Sequence, residues 1–114
     1  MTGRLLVAAL VLGLPASAQE REARFNNYPT ATRADYVFGC MAANGQGRDV
    51  LEKCSCSIDI IAEILPHEKY VEAETVLSLR QTGGERMSVF RGAATDSIVA
   101  ELRRAQAEAE IRCF

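Results

Sequence analysis

From Thr30 onward, apolar residues recur at spacings of three and four, the period of an amphipathic helix, and nowhere alternate over a useful length as a strand would require. Thr30 or Thr32 can cap a first helix running through Ala43, in which Ala34, Val37, Cys40 and Met41 share a face. Asn44-Gly45-Gln46-Gly47 then supplies a helix stop and a tight reversal. A second helix is expected from about Asp49, as N-cap, to Leu65. At 100° per residue, Leu51, Cys54, Ile58, Ile61 and Leu65 form one apolar stripe, and Cys56, Ile60 and Ile64 form another on a different side. Glu52, Asp59 and Glu63 fill a polar wedge beside the second stripe. Two apolar stripes predict a central helix with neighbours on two sides.

Pro66 interrupts that helix and suits the N1 position of a third, "PHEKYVEAETVLSLRQ", with an acidic first turn and a face made by Tyr70, Ala73, Val76 and Leu77. Thr82-Gly83-Gly84 ends it. The segment "ERMSVFRG" predicts one or two helical turns that lay Met87, Val89 and Phe90 on the core. Thr95 or Asp96 can cap a last helix, "SIVAELRRAQAEAEIRCF", in which Ile98, Leu102, Ala105, Ala109 and Cys113 recur on one face. The predicted fold is therefore all-α, a small bundle of four to five helices.

The residues before Thr30 read differently. "MTGRLLVAALVLGLPASAQE" carries Arg4, an apolar run from Leu5 to Leu14, and small residues at Ala16 and Ala18, the anatomy of a secretory signal with cleavage after Ala18. Ten apolar residues fall well short of the ~20 that span a hydrocarbon core, and no cysteine follows the cleavage site to accept a lipid. The short basic region and A-x-A site suit bacterial export, so the expected location is the periplasm, with no membrane association after cleavage. Residues 19–29 are polar, lack a clear period and end in Asn-Asn-Tyr-Pro, which predicts a flexible arm ahead of a single helical domain spanning 30–114.

Losing residues 1–18 removes one of the 13 basic residues and none of the 15 acidic ones, leaving 96 residues with formal charge -3. The remaining basic residues are scattered, which argues against nucleic acid or an anionic membrane as partner. A domain this small buries a modest core and gains most from cross-links. All four cysteines, Cys40, Cys54, Cys56 and Cys113, survive cleavage, and an even count in an oxidising compartment reads as two disulfides.

Cys54 and Cys56 are separated by one residue in "EKCSCSID". Two positions apart on a helix point about 200° away from each other, so these two thiols are better placed to bond with two neighbours than with one another. Folding the first helix back through the Gly45–Gly47 turn brings Cys40 and Cys54, symmetric about Gly47, together. Cys40 with Cys54 and Cys56 with Cys113 is thus the favoured pairing. The alternative, Cys40 with Cys56 and Cys54 with Cys113, is displaced by about half a helical turn and stays open.

A redox reading takes Cys54-Ser55-Cys56 as an exchangeable dithiol with Lys53 lowering a thiol pKa, yet the pair falls inside a predicted helix and not at its N-terminus. A copper reading would recruit Cys54, Cys56, Met41, Met87 or His67, but both methionines occupy helical core positions and His67 follows Pro66 as a solvated helix-start residue. "SID" and "PHE" supply no nucleophile elbow, Gly83-Gly84 lacks the strand and lysine of a phosphate loop, and there is no C-x-x-C-H haem site. Tyr28, Tyr36, Tyr70 and the four phenylalanines are too scattered to define a ligand box.

The segment "YVFGCMAANGQGRDVLEKCSCSIDIIAEILPHEKYVEAE" pairs Cys40-Met41 with a C-x-C-x-x-D-x-I-A core from Cys54 to Ala62. Over about residues 36 to 76 it resembles a recurring group of small exported bacterial proteins. The resemblance implies a helical, exported protein and no settled activity. Asp59 is the acidic residue of that pattern; it reads as a solubilising carboxylate or as a partner contact.

No constellation of acid, base and nucleophile is visible, so the expectation is a non-enzymatic binding or accessory module without cofactor or bound metal. Its expected partner is another envelope protein, such as an exported oxidoreductase or electron-transfer system. A thiol-disulfide redox protein using the C-x-C pair and a copper-handling protein are the competing classes.

Overall fold

A computed structural model describes residues 27–114 together with Gly13. Apart from Gly13, the expected leader, residues 1–18, lies outside the described residues, as does the expected arm from 19 to 26. The described chain is all-helical: α1 (Thr30–Asn44), α2 (Arg48–Ile64), α3 (His67–Thr82), a 3-10 segment (Glu85–Arg91) and α4 (Ala93–Cys113). No strand occurs among the described residues.

α2 is the hub, packing on α1 on one side and most extensively on α4 on the other, while α3 lies against α4. Its buried face is Cys54, Ser57, Ile58, Ile61 and Ala62, continued by Leu65. α3 contributes Tyr70, Ala73 and Val76; α4 contributes Val99, Leu102, Ala105 and Ala109. The small alanines of α4 let its backbone approach α2 closely. The expected second stripe of α2 is thinner than its pattern: Ile60 is half-buried against the core and Ile64 is exposed.

The helix stops fall at glycines. Gly45 (φ 121°) and Gly83 (φ 74°) adopt left-handed backbone that a side chain would strain, and the Gly45 N–H caps α1 by donating to Met41 O. The starts of α1, α2 and α4 fall earlier than the expected caps, whereas Pro66 is the N-cap of α3 and not its expected N1 residue. α1 begins after Pro29, α2 after Gly47, α3 after Pro66 and α4 after Gly92, none with a side-chain cap bond. The expected cap residues are engaged elsewhere. Thr32 Oγ1 meets His67 Nε2 at 3.2 Å, and Thr95 Oγ1 donates to the carbonyl of Phe90 at 2.8 Å.

Arg80 explains the α4 start. Its guanidinium reaches Thr95 Oγ1 (3.1 Å), Asp96 Oδ1 (2.7 Å) and the Phe90 carbonyl, tying the end of α3 to the 3-10 segment and to the first turn of α4. Within that segment Met87 and Phe90 are half-buried, but Val89 is 68 % exposed instead of joining the core.

Tyr28 departs most from expectation. Placed by its polar surroundings in the flexible arm, it is 4 % exposed, and its hydroxyl donates to the Leu65 carbonyl at 2.6 Å. Leu65 precedes Pro66, so the α2 ladder has ended there and Tyr28 supplies the donor its carbonyl needs. The Tyr28 ring also sits edge-on to His67 (5.0 Å) and beside Tyr70 (5.4 Å). His67 is accordingly half-buried and bonded, in place of the solvated residue its turn position predicts.

Candidate functional site

Each sulfur of the C-x-C pair goes to a different helix. Cys40 bonds to Cys54, joining α1 to α2, and Cys56 bonds to Cys113, joining α2 to α4; the Cα–Cα distance is 5.8 Å in both. This is the favoured pairing from the sequence, and the displaced alternative does not occur. Cys54 is fully buried while Cys56 and Cys113 are half-buried. No described cysteine is a free thiol.

The Cys40–Cys54 bond holds α1 in an unusual position: it has no fully buried residue, although Tyr36 and Val37 pack partly against the core. It is pinned near its C-terminal end by Cys40–Cys54 and at its N-terminal end by buried Tyr28. Between these points Arg33 Nη1 pairs with Asp59 Oδ1 of α2 at 2.5 Å, and the Arg33 guanidinium lies 5.7 Å from the centre of the Tyr28 ring. Asp59, the acidic residue of the motif, is therefore half of an ion pair that orients α1 on α2.

A fixed, shallowly seated helix leaves a groove on each flank. Toward α2, a groove of about 460 Å³ is walled mainly by apolar groups of Val37, Phe38, Met41, Leu51 and Ile58, with Arg33 and Asp59 among its lining residues. Toward α3 and α4 runs a cleft of mixed lining, two adjoining hollows of about 660 Å³ each that share Asp35, Tyr70 and Glu74. Tyr36, Arg103 and Gln106 extend it. Phe38 lines both the apolar groove and the cleft, and at 79 % exposure it forms the ridge between them.

The cleft is electrostatically frustrated. Burial pushes the Glu74 carboxyl up and the facing Asp35 pushes it further, with Arg103 partly opposing both. Burial is the chief cause that raises the phenols of Tyr36 and Tyr70; for Tyr36 a hydrogen bond with buried Ser57 works the other way and Glu74 and Glu110 add to the rise, and for Tyr70 Glu74 adds most after burial, with a smaller push from Asp35. Sequence reasoning missed this cleft because it joins helices distant in sequence. One signal was present: Glu74 lies four residues after Tyr70, a carboxylate interrupting the apolar face of α3.

The proposed soft-metal ligands are dispersed by the fold. Met41 lines the apolar groove, His67 faces Tyr28 and Thr32, Met87 belongs to the 3-10 segment, and both C-x-C sulfurs are in disulfides. Among the described residues no three His, Cys, Asp or Glu side chains cluster to hold a metal ion, and no helix is long and apolar enough to cross a membrane. The paired cysteines are compatible with an exported protein. Comparison of the chain with protein-family models, curated proteins and solved structures finds no match.

Proposed function

We propose that the protein is a periplasmic accessory module that binds an envelope partner through the outer face of α1. The carrying observation is the ridge residue Phe38: a large aromatic, 79 % exposed, on a helix locked in place at both ends and flanked by grooves on both sides. Presenting an aromatic on an ordered helix costs the folded chain solvation and lowers the entropy cost of docking, the arrangement of an interface anchor. The apolar run and A-x-A site of residues 1–18 support export, and the two disulfides suit an oxidising compartment. An exported oxidoreductase or electron-transfer system is the partner class we favour, and the role is non-enzymatic.

Photocrosslinking in the envelope of the producing cell tests this reading. A crosslinker replacing Phe38 is expected to form a discrete adduct that one replacing exposed Val89, on the 3-10 segment, does not form. Adducts of equal yield from both positions, or none from position 38, would overturn it.

A further inference from the structure

Phe38 divides two surfaces of different chemistry, and a partner covering the ridge meets both. On one flank, Val37, Met41 and Leu51 offer apolar area with the Arg33–Asp59 charges already paired. On the other, Asp35 and Glu74 face each other across the cleft from α1 and α3, beside the rings of Tyr36 and Tyr70. Arg103 of α4 is the one basic lining residue of that flank, against two carboxylates. A neutral or acidic partner would bury uncompensated negative charge there, whereas a cation would be paired by the carboxylates and could lie against tyrosine faces.

Resting on the docking reading above, we propose that the α1 face takes a basic amphipathic segment of its partner, with apolar side chains over Phe38 and Met41 and a Lys or Arg side chain in the Asp35–Glu74 cleft. The order of the surfaces sets the pattern of such a segment: an apolar stripe bordered along one edge by positive charge, the form in which a helix lies in a groove. Charge complementarity therefore selects the partner on one flank while apolar burial holds it on the other.

Two synthetic helical peptides of equal length, one of Leu and Lys and one of Leu and Glu, test the assignment when titrated into the disulfide-intact, isotopically labelled protein. The Leu/Lys peptide is expected to shift the amides of Asp35, Val37, Phe38 and Glu74. Its affinity should fall roughly tenfold in the Asp35→Asn/Glu74→Gln variant and should weaken with salt. Glu72→Gln/Glu85→Gln, with the same charge change at exposed positions, should bind as the unaltered protein does. Equal binding of the Leu/Glu peptide at those amides would overturn the basic assignment and leave the docking face standing. Shifts confined to other surfaces, or none with either peptide, would also overturn it, and the photocrosslink from position 38 reports independently whether the face docks a partner.

Discussion

The Tyr28 hydroxyl donates to the Leu65 carbonyl at 2.6 Å, so a residue ahead of the first helix closes the corner between the second and third. Tyr28→Phe removes the donor and leaves a carbonyl beside Pro66 without its partner, which is expected to cost about 1–3 kcal/mol. Tyr28→Ala, which also removes the ring packed on Tyr70 and His67, should cost about 3–5 kcal/mol. Denaturant unfolding at constant slope measures both; a Phe variant as stable as the unaltered protein would contradict this role.

The same burial raises the Tyr28 phenol above its ordinary value of 10.0. The neutral phenol is favoured in the folded state, so its contribution is complete below pH 10 and is lost as pH rises through the folded pKa. Alkaline unfolding should begin above about pH 10 and should be less steep in Tyr28→Phe.

Glu74 gives the opposite end of the pH scale. Its carboxyl is raised from 4.5 by burial and by Asp35 of α1, against Arg103 of α4, with Tyr36 and Tyr70 completing its charged and titratable surroundings. A raised carboxyl pKa means the folded state holds the proton longer, so this stabilising contribution is full below pH 4.5 and is lost as pH rises through the folded value. Glu74→Gln should therefore gain stability relative to the unaltered protein as pH climbs from 4.5 toward 7, and thermal unfolding across that range measures the gap. A gap that shrinks with rising pH would contradict the assignment.

Arg80 should behave as a local clamp. Arg80→Met keeps much of the stem but removes donors to Phe90, Thr95 and Asp96, for an expected loss of about 1–3 kcal/mol. Amide exchange should accelerate in the 3-10 segment and the first turn of α4 before it does in α2.

Much of the architecture was legible because it rests on period and symmetry. The α4 stripe of Leu102, Ala105 and Ala109 is buried as its spacing predicts, and the centring of Cys40 and Cys54 on Gly47 identifies their bond. Tyr28 was hidden because one aromatic in a polar stretch has no period. Its position just ahead of the Pro29 cap, with Arg33 at the fourth helical position packing over its ring, is a hydrophobic staple in which a cation replaces the usual apolar partner. The Asp35–Glu74 cleft and the Arg80 clamp join different elements, and helix periodicity carries no information about which polar faces meet. Asp59 read as a solubilising carboxylate or a partner contact, and its Arg33 partner lies 26 positions away, beyond any helical repeat.

The two disulfides differ in protection. Chain-entropy arguments assign roughly 3 kcal/mol to the ring closed by Cys40–Cys54 and about 4 kcal/mol to that closed by Cys56–Cys113. Burial shields one sulfur of the shorter ring, since Cys54 is fully enclosed and only half-buried Cys40 is open to attack, whereas both cysteines of the longer ring are half-buried. Graded reduction of the folded protein should open Cys56–Cys113 first, read by alkylation and peptide mass; simultaneous loss of both bonds would show that attack requires global unfolding.

The central claim is that the C-x-C sequence is a junction whose two sulfurs are tied to different helices. Its most direct measurement is the intact mass of the native protein alkylated without reductant, followed by non-reducing peptide mapping. No alkylated thiol, with Cys40 linked to Cys54 and Cys56 to Cys113, is the predicted result. Two readily alkylated thiols at Cys54 and Cys56 would contradict it and point to an exchangeable dithiol.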